Sequence, residues 1–387
     1  MNYQQMTLEL IELHYDGLLS RIRQFREFRN KTLVLWGTGA IGNILYHYLK
    51  KYGKVVDFFC DNNPEMIGSR ITTDAILCKS PEEVLKMKGT DIIIASTNID
   101  EIGLQLANYQ GGDVITPPVD MLVFVSLILG DLEQQSKQFV INQVSKLFQL
   151  LDDEISKETL YFKIWGWFAS PLEMKQFHYN TILTDKQYIP DGIINIRDHS
   201  TIVDCGAYCG DTLKFFLDQG IHFNQYFAYE LDRDNYERFL DFIDSCTEEV
   251  KEKVTVYNLG VGESKGTFHY FSKKNSSLIL DTDDNNANGN SVGEIVDLTH
   301  HLKDIGISYI KMDIEGTEML ALKGAAGLIK QNVPDCAICI YHKATDLWEI
   351  PLFLASCCSK YKFHIRQHAD CYFDTVCYAT KQENAGR

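Results

Sequence analysis

Two glycine-rich segments constrain the fold most, because each follows a short apolar segment directly. They are LVLWGTGAIGN at 33–43 and TIVDCGAYCGD at 201–211. An apolar strand that feeds a tight glycine turn and then a helix is the repeating unit of a parallel α/β sheet. Since a chain of 387 residues is long enough for more than one core, the sequence predicts two α/β units.

Apolar segments of strand length alternate with segments of helical period around both turns. In the N-terminal part the strand-like segments include TLVLWG, VVDFFCDNNP and DIIIAST. In the C-terminal part we predict strands at 201–205, 226–230, 254–258, 308–313 and 336–341, with a closing strand pair near 361–379. The predicted fold class is therefore α/β, with a small N-terminal Rossmann-like domain and a larger C-terminal one.

The periodicity also predicts the domain boundaries. We expect an N-terminal helix within 1–30, a small Rossmann-like domain at 31–120, a mainly helical linker at 121–190 and the second α/β domain at 191–387. The longest apolar run, MLVFVSLIL, is far shorter than the roughly 20 residues that a membrane span requires. We interpret it as buried core and expect no membrane insertion.

Charge and cysteine content limit the partners and the compartment. The formal net charge is −16, which argues against a general nucleic-acid surface because phosphate contacts need clustered Lys and Arg. The 11 cysteines are scattered and several lie in predicted strands, as expected of reduced thiols in the cytoplasm. The oligomeric state is left open by the sequence.

The first turn matches the dinucleotide fingerprint. Gly37, Gly39 and Gly42 form G-x-G-x-x-G between a predicted strand and helix, and Asp61 ends the next strand 19 positions after Gly42. The glycines would admit a pyrophosphate and Asp61 would hold ribose hydroxyls. We expect a nucleotide or nucleotide-sugar here, or, as the alternative, a Rossmann-like unit that serves assembly or presents the substrate.

The second turn has a different pattern, D-x-G-x-x-x-G, formed by Asp204, Gly206 and Gly210. It resembles the first motif of S-adenosylmethionine-dependent methyltransferases. That resemblance implies that Asp204 forms hydrogen bonds near the amino-acid moiety of the cofactor, while the two glycines keep side chains out of its way.

The next two strand ends extend this cofactor site. Glu230 ends a predicted strand 26 positions after Asp204, and one carboxylate can accept both adjacent hydroxyl donors of a ribose. The third strand ends near Leu259, Gly260 and Val261, which we expect beside the adenine as apolar or backbone neighbours. The predicted cofactor is S-adenosylmethionine.

A more specific resemblance covers roughly 190–380. The segment YIKMDIEGTEMLALKGA at 309–325 resembles the K-x-D-x-E-G-x-E signature of the FkbM family of methyltransferases. The earlier segments AYELDRDN and NLGVGESKGTFHYF and the later segments ICIYH and YKFHIRQH fall in that family's order, although Leu231 replaces the proline of its FEP motif. The resemblance implies a seven-strand class I methyltransferase core and O-methylation of a sugar or other hydroxylated molecule in a bacterial glycan or secondary-metabolite pathway.

Methyl transfer to a hydroxyl needs close positioning and removal of the hydroxyl proton. Open α/β sheets bind ligands at the carboxyl ends of their strands, where Asp313, Glu315 and His342 are predicted. His342 is a candidate general base, with a structural, hydrogen-bonded histidine as the alternative. For Glu318 we favour a helix-opening carboxylate, and Lys311 is expected to pair with a carboxylate.

We predict no metal, because two candidate carboxylates are too few to hold one. The segment DTDDNNANGNSVGEI resembles a calcium loop when read from Asp284, but Ile295 stands at its twelfth position, so we interpret it as a solvated insertion.

Substrate selection is assigned to the loop YIPDGIINIRDHS and to the aromatic segment around Tyr161, Trp165 and Trp167, although core packing explains the aromatic side chains equally well. The partner is expected to be a small-molecule or glycan acceptor. Two other functions stay open: an NAD-dependent nucleotide-sugar oxidoreductase and a non-catalytic nucleotide-sensing module.

Overall fold

A computed structural model of the chain describes residues 2–72, 74–177, 182–273, 276–279 and 291–381. The segment that resembles a calcium loop lies outside these residues up to Asn290. The chain opens with the amphipathic helix α1, Tyr3–Gln24, which begins at the Asn2 cap. The helix predicted within 1–30 is therefore present.

The first sheet is built around the N-terminal glycine turn. Its strand order is β3-β4-β2-β1-β5-β6, and the described pairs are parallel except for antiparallel β3 and β4. The elements of this unit are β1 Thr32–Trp36, α2 Ala40–Lys51, β2 Phe58–Cys60, β3 Arg70–Ile71, β4 Ile76–Lys79, α3 Pro81–Leu85, β5 Thr90–Ile94, α4 Ile99–Leu106 and β6 Val114–Ile115.

A helical segment connects the two sheets. It consists of α5 Met121–Leu129, a 3-10 turn at Leu132–Gln134, α6 Lys137–Leu150, α7 Glu154–Gly166 and α8 Pro171–Gln176. The apolar run predicted to be buried core is α5, and most of its side chains are buried. No helix of the described residues has the length and apolar character needed to cross a membrane.

The second sheet has seven strands in the order β16-β17-β15-β14-β7-β8-β9, and only β17 runs antiparallel to its neighbours. This confirms the predicted fold class. The elements are β7 Thr201–Cys205, α9 Asp211–Asp218, β8 Gln225–Tyr229, α10 Arg233–Asp244, α11 Glu248–Lys253, β9 Val254–Tyr257, α12 Leu298–His301, β14 Tyr309–Met312, α13 Glu318–Asn332, β15 Asp335–Cys339, α14 Asp346–Cys357, β16 Tyr361–Gln367 and β17 Thr375–Lys381.

A small third sheet lies between β9 and α12. Its strands are β10 Gly260–Val261, β11 Gly266–Lys273, β12 Ser276–Ile279 and β13 Ser291–Val296, in the order β10-β13-β11-β12. Because β10 directly follows the end of β9, this sheet places its first strand at the carboxyl edge of the seven-stranded sheet.

The two large sheets share a continuous hydrophobic core. One cluster of buried side chains runs from α1 through the first sheet and the helical segment into the seven-stranded sheet. Polar contacts add to it, since Asp153 at the start of α7 accepts hydrogen bonds from Arg366 of β16, with Oδ2 2.7 Å from Nη2. The helical segment thus packs as part of the core, while the boundaries at 120 and 190 stay a prediction.

Candidate active site

A cavity of about 810 Å³ opens at the carboxyl edge of the seven-stranded sheet. Its wall is formed by the turn after β7, the end of β8, the loop after β9 with β10, and the loop after β14. The volume lies within the usual range for small-molecule sites. The residues that line it include Gly206, Glu230, Leu259, Lys311, Asp313 and Glu315.

The glycine turn after β7 approaches the end of β14 very closely. Gly206 has a φ of +76°, and a β-carbon there would lie 1.8 Å from the carbonyl oxygen of Asp313. The space beside Gly210 is occupied instead by Phe239 and Phe242 of α10, with ring atoms 2.6 and 2.8 Å from a β-carbon. Gly206 therefore shapes the cavity wall, whereas Gly210 serves the packing of α10, and the predicted role of both beside the cofactor stays a prediction.

Asp204 lies beneath the cavity and does not line it. Its side chain is fully buried, and Oδ1 lies 3.0 Å from Nζ of Lys311, while Oδ2 accepts a 2.6 Å hydrogen bond from the hydroxyl of Tyr226. Lys311 also donates to the carbonyl oxygen of Gly206 at 2.7 Å. Although burial opposes the charge, the carboxylate of Asp204 helps to raise the pKa of Lys311 above its usual value. Asp204 thus acts on the wall through Lys311, and its predicted hydrogen bonding near the amino-acid moiety of the cofactor stays a prediction.

Glu230 faces the cavity from the end of β8. Its two oxygens accept backbone hydrogen bonds of 2.8 Å each, from the N–H groups of Tyr208 and Asp232. Burial raises the pKa of Glu230 to about 7, although these hydrogen bonds favour the ionised form. The carboxylate retains lone pairs toward the cavity, as the predicted ribose contact requires.

The loop after β9 forms an apolar part of the wall. Leu259, Gly260 and Val261 all line the cavity, together with Leu231 and Ile295. This arrangement gives a flat aromatic group apolar neighbours on the side of the cavity next to Glu230.

A cluster of ionisable side chains closes the other end of the cavity. Asp313 and Glu315 line it, and His342 lies behind them with its side chain 9% exposed. Nε2 of His342 is 3.7 Å from Oδ1 of Asp313 and 3.5 Å from Oε2 of Glu315. On the far side of the ring, Nδ1 is 3.0 Å from Oε1 of Glu318. His342 therefore lies behind the residues that line the cavity, and its role as general base or as structural histidine stays a prediction.

Two tyrosines fix the carboxylate of Asp313. The hydroxyl of Tyr188 donates to Oδ2 at 3.0 Å, and that of Tyr341 donates to Oδ1 at 3.1 Å. Burial would raise the pKa of Asp313, but His342, Lys311 and the Tyr188 hydrogen bond together lower it. Tyr188 belongs to the loop predicted to select the substrate and lines the cavity, whereas Trp167 is fully buried in the core.

Glu318 is the residue that sequence reasoning undervalued. It does open α13, as predicted, but its buried Oε1 also accepts hydrogen bonds from the N–H groups of Ile314 and Gly316. With three carboxylates around it, the pKa of His342 is raised well above its usual value despite burial. The E-G-x-E spacing was the available signal, because it puts Glu318 one helical turn from the strand end that carries Asp313 and Glu315.

Residues 204–364 match the family model of the methyltransferase FkbM domain. This region is an FkbM-type methyltransferase domain. The crystal structure of the methyltransferase FkbM from Methylobacillus flagellatus KT shares the fold, with a TM-score of 0.63 and 20% sequence identity over 98% of this chain and 99% of that one. No curated protein matches the sequence.

Other solved structures are similar over about half of this chain. An rRNA methylase from Streptococcus thermophilus is similar over 49% of this chain and 90% of its own, with a TM-score of 0.31 and 12% identity. The FkbM family implies methylation that depends on S-adenosylmethionine, and the strand order of the FkbM-type domain agrees with the predicted seven-strand core.

The N-terminal glycine turn lies outside the FkbM-type domain, and hydrogen bonds and close packing within the first α/β unit hold it. Oδ2 of Asp61 accepts hydrogen bonds from the N–H and hydroxyl of Thr38, at 2.8 and 2.5 Å. A β-carbon at Gly37 would lie 2.3 Å from the carbonyl oxygen of Ala95, and one at Gly42 would lie 2.0 Å from that of Gly37, whereas Gly39 has open space. Strand and helix packing thus accounts for two of the three glycines, and a nucleotide in this domain stays a prediction.

Proposed function

We propose that the protein is an O-methyltransferase that uses S-adenosylmethionine to methylate a hydroxyl of a sugar-containing or other hydroxylated small molecule. One observation carries the proposal. A single cavity has the buried carboxylate of Glu230 on one side and the carboxylates of Asp313 and Glu315 on another. The first suits a ribose, and the other two suit the hydroxyl of an acceptor.

The residues around Glu230 fit the cofactor. Glu230 offers lone pairs to two ribose hydroxyls, and Leu231, Leu259 and Val261 offer apolar contact to the adenine. Gly206 allows the turn to pass close to the end of β14, where a β-carbon would clash with the carbonyl oxygen of Asp313. When bound, S-adenosylmethionine supplies the methyl group as a cationic sulfonium.

The acidic end of the cavity fits the task of accepting a proton. Glu315 is the more available base, because its side chain is 45% exposed and its Oε2 is 3.5 Å from Nε2 of His342. Asp313 is held by two tyrosine hydroxyls and serves to position the acceptor hydroxyl. We assign proton removal to Glu315 and the positioning of Glu315 to His342.

The acceptor is proposed to be small and uncharged or cationic, because the acceptor side of the cavity carries carboxylates and the whole chain has a net charge of −16. This balance disfavours nucleic acid as a substrate. The 11 free cysteines support a reducing compartment such as the cytoplasm.

The test is transfer of labelled methyl groups to a pool of hydroxylated metabolites, with the product identified by the NMR shift of an O-bound methyl carbon. We expect Glu315→Gln to lower kcat by about 100-fold or more while the affinity for S-adenosylhomocysteine stays unchanged. The matched control is Glu349→Gln, the same substitution at an exposed position of α14. Methyl groups found on nitrogen or carbon would refute O-methylation, and full activity in Glu315→Gln would refute its role as base.

A further inference from the structure

We propose that Asp313, Glu315 and His342 bind a divalent metal ion, with Glu318 behind the imidazole; these four residues are here called the acidic cluster. Asp313, Glu318 and His342 can each offer one ligand atom, and these atoms lie within 4.8 Å of one another. Glu315 adds an oxygen 3.5 Å from Nε2 of His342. The proposal that the metal ion binds is based on this geometry alone. The proposal that the ion takes part in catalysis rests on the proposed function.

Separations in the acidic cluster fit an ion better than direct hydrogen bonds. Nε2 of His342 is 3.7 and 3.5 Å from the nearest oxygens of Asp313 and Glu315, beyond the usual N–H···O length of about 3.2 Å. Two ligands that each lie about 2.1 Å from one metal ion, at angles of about 90 to 115°, are about 3.0 to 3.5 Å apart, close to these two separations. The gap in front of Nε2 has the size that a coordinated ion requires.

Several buried polar atoms of the acidic cluster make no hydrogen bond with the described residues. They include both ring nitrogens of His342, whose side chain is 9% exposed, although Nδ1 lies close to Oε1 of Glu318. Oε2 of the fully buried Glu318 also accepts none from them. Such atoms are costly unless a partner satisfies them, and a cation between Nε2 and the carboxylates of Asp313 and Glu315 would satisfy Nε2.

Glu318 also resembles the outer partner of a metal-binding histidine. Its Oε1 lies 3.0 Å from Nδ1 of His342, on the side of the ring opposite to Asp313 and Glu315. Histidines that bind metals usually direct their other nitrogen to a carboxylate, which fixes the tautomer and the ring orientation. In this arrangement Nε2 is the free lone pair that faces the ion.

The donor set selects the class of metal. Carboxylate oxygens mixed with one imidazole nitrogen favour Mn²⁺ or Zn²⁺ over Ca²⁺, which prefers oxygen ligands alone. Because Asp313 and Glu315 line the cavity, the ion would lie where an acceptor hydroxyl can reach it. A divalent ion at that place would lower the pKa of the hydroxyl, and Glu315, bound to the ion through one oxygen, would accept the proton on its other oxygen.

The test is a titration of the chelator-treated full-length protein with Mn²⁺, in which free Mn²⁺ is followed by electron paramagnetic resonance, with and without S-adenosylhomocysteine. We expect one Mn²⁺ per chain, competition by Zn²⁺, and affinity at least tenfold weaker in Glu315→Gln and His342→Asn. Glu349→Gln is the control and should bind as the wild type does. Circular dichroism verifies that each variant is folded. If His342→Asn does not fold, Glu315→Gln still tests the proposal, because the Glu315 side chain is exposed and its substitution should not disturb the fold.

Two outcomes overturn the metal site: no Mn²⁺ or Zn²⁺ bound by the folded wild type under either condition, or equal binding by wild type and Glu315→Gln. Calorimetry with S-adenosylhomocysteine separates this from the proposed function. If S-adenosylhomocysteine binds and Mn²⁺ does not, the metal site fails alone. If Mn²⁺ binds and S-adenosylhomocysteine does not, the proposed function fails and the metal site stands.

Discussion

The protonation state of Glu230 should make cofactor binding depend on pH. Burial raises the pKa of this carboxyl to about 7, and only the ionised form can accept hydrogen bonds from both ribose hydroxyls. Because the folded-state pKa is raised, the fraction of binding-competent protein grows as the pH rises through 7. We therefore expect the affinity for the adenosyl group to increase from pH 6 to pH 8.

The magnitude follows from the fraction of Glu230 that is ionised. With a pKa of about 7, roughly a tenth of the protein is competent at pH 6 and nine tenths at pH 8. The apparent Kd should then fall about tenfold, which corresponds to about 1.4 kcal/mol. The suitable probe is 5′-methylthioadenosine, since it keeps the ribose and adenine but lacks the amino-acid groups that titrate in this range.

Calorimetric titrations at pH 6, 7 and 8 measure the change, and Glu230→Gln is the matched variant. Glutamine keeps the shape but cannot ionise, and it leaves one of the two backbone N–H groups now bonded to Glu230 without its acceptor. We expect its Kd to be weaker by about tenfold to a hundredfold and independent of pH. A wild-type Kd that does not change between pH 6 and pH 8, or a variant that keeps the slope, would refute the assignment of Glu230 to the ribose.

Two further substitutions test the wall of the cavity. Gly206→Ala should lower the free energy of unfolding by about 3 kcal/mol or more, because the new β-carbon would meet the carbonyl oxygen of Asp313. The control is Gly220→Ala, where φ is +70° but the space is open, and it should cost only about 1 to 2 kcal/mol. Denaturant unfolding measures both changes. Lys311→Met should lower the free energy of unfolding by about 3 to 5 kcal/mol, because it leaves the buried carboxylate of Asp204 without its cation. The double variant Lys311→Met with Asp204→Asn should recover part of that loss. A double variant that is no more stable than Lys311→Met alone would contradict a stabilising ion pair.

Local sequence patterns predicted the elements and the edge of the sheet at which the site forms. The strand before each glycine turn, and the carboxylates two positions apart at the end of β14, are features that a short window contains. Strand ends of one parallel sheet meet at one edge, so Glu230, Asp313 and Glu315 line a single cavity although long segments separate them.

Pairing across the sheet could not be predicted in the same way. Lys311 lies directly opposite Asp204 in the register of β14 and β7, and this juxtaposition turns a supposed cofactor ligand into the buried partner of a lysine. Register depends on the packing of whole strands and not on the spacing within one motif. The same limit applies to Glu318, whose partner His342 follows a different strand, β15.

The acidic cluster is also held from outside the FkbM-type domain. The loop that carries His342 donates a 2.9 Å hydrogen bond from the N–H of Ala344 to the carbonyl oxygen of Ser126 in α5. Both residues are buried, and α5 belongs to the continuous core that reaches back to α1 and the first sheet. A shift of the N-terminal half would therefore move the backbone two residues from His342. The position of its imidazole depends on both halves of the chain, although all but one of the residues that line the cavity, Tyr188, come from the C-terminal α/β domain.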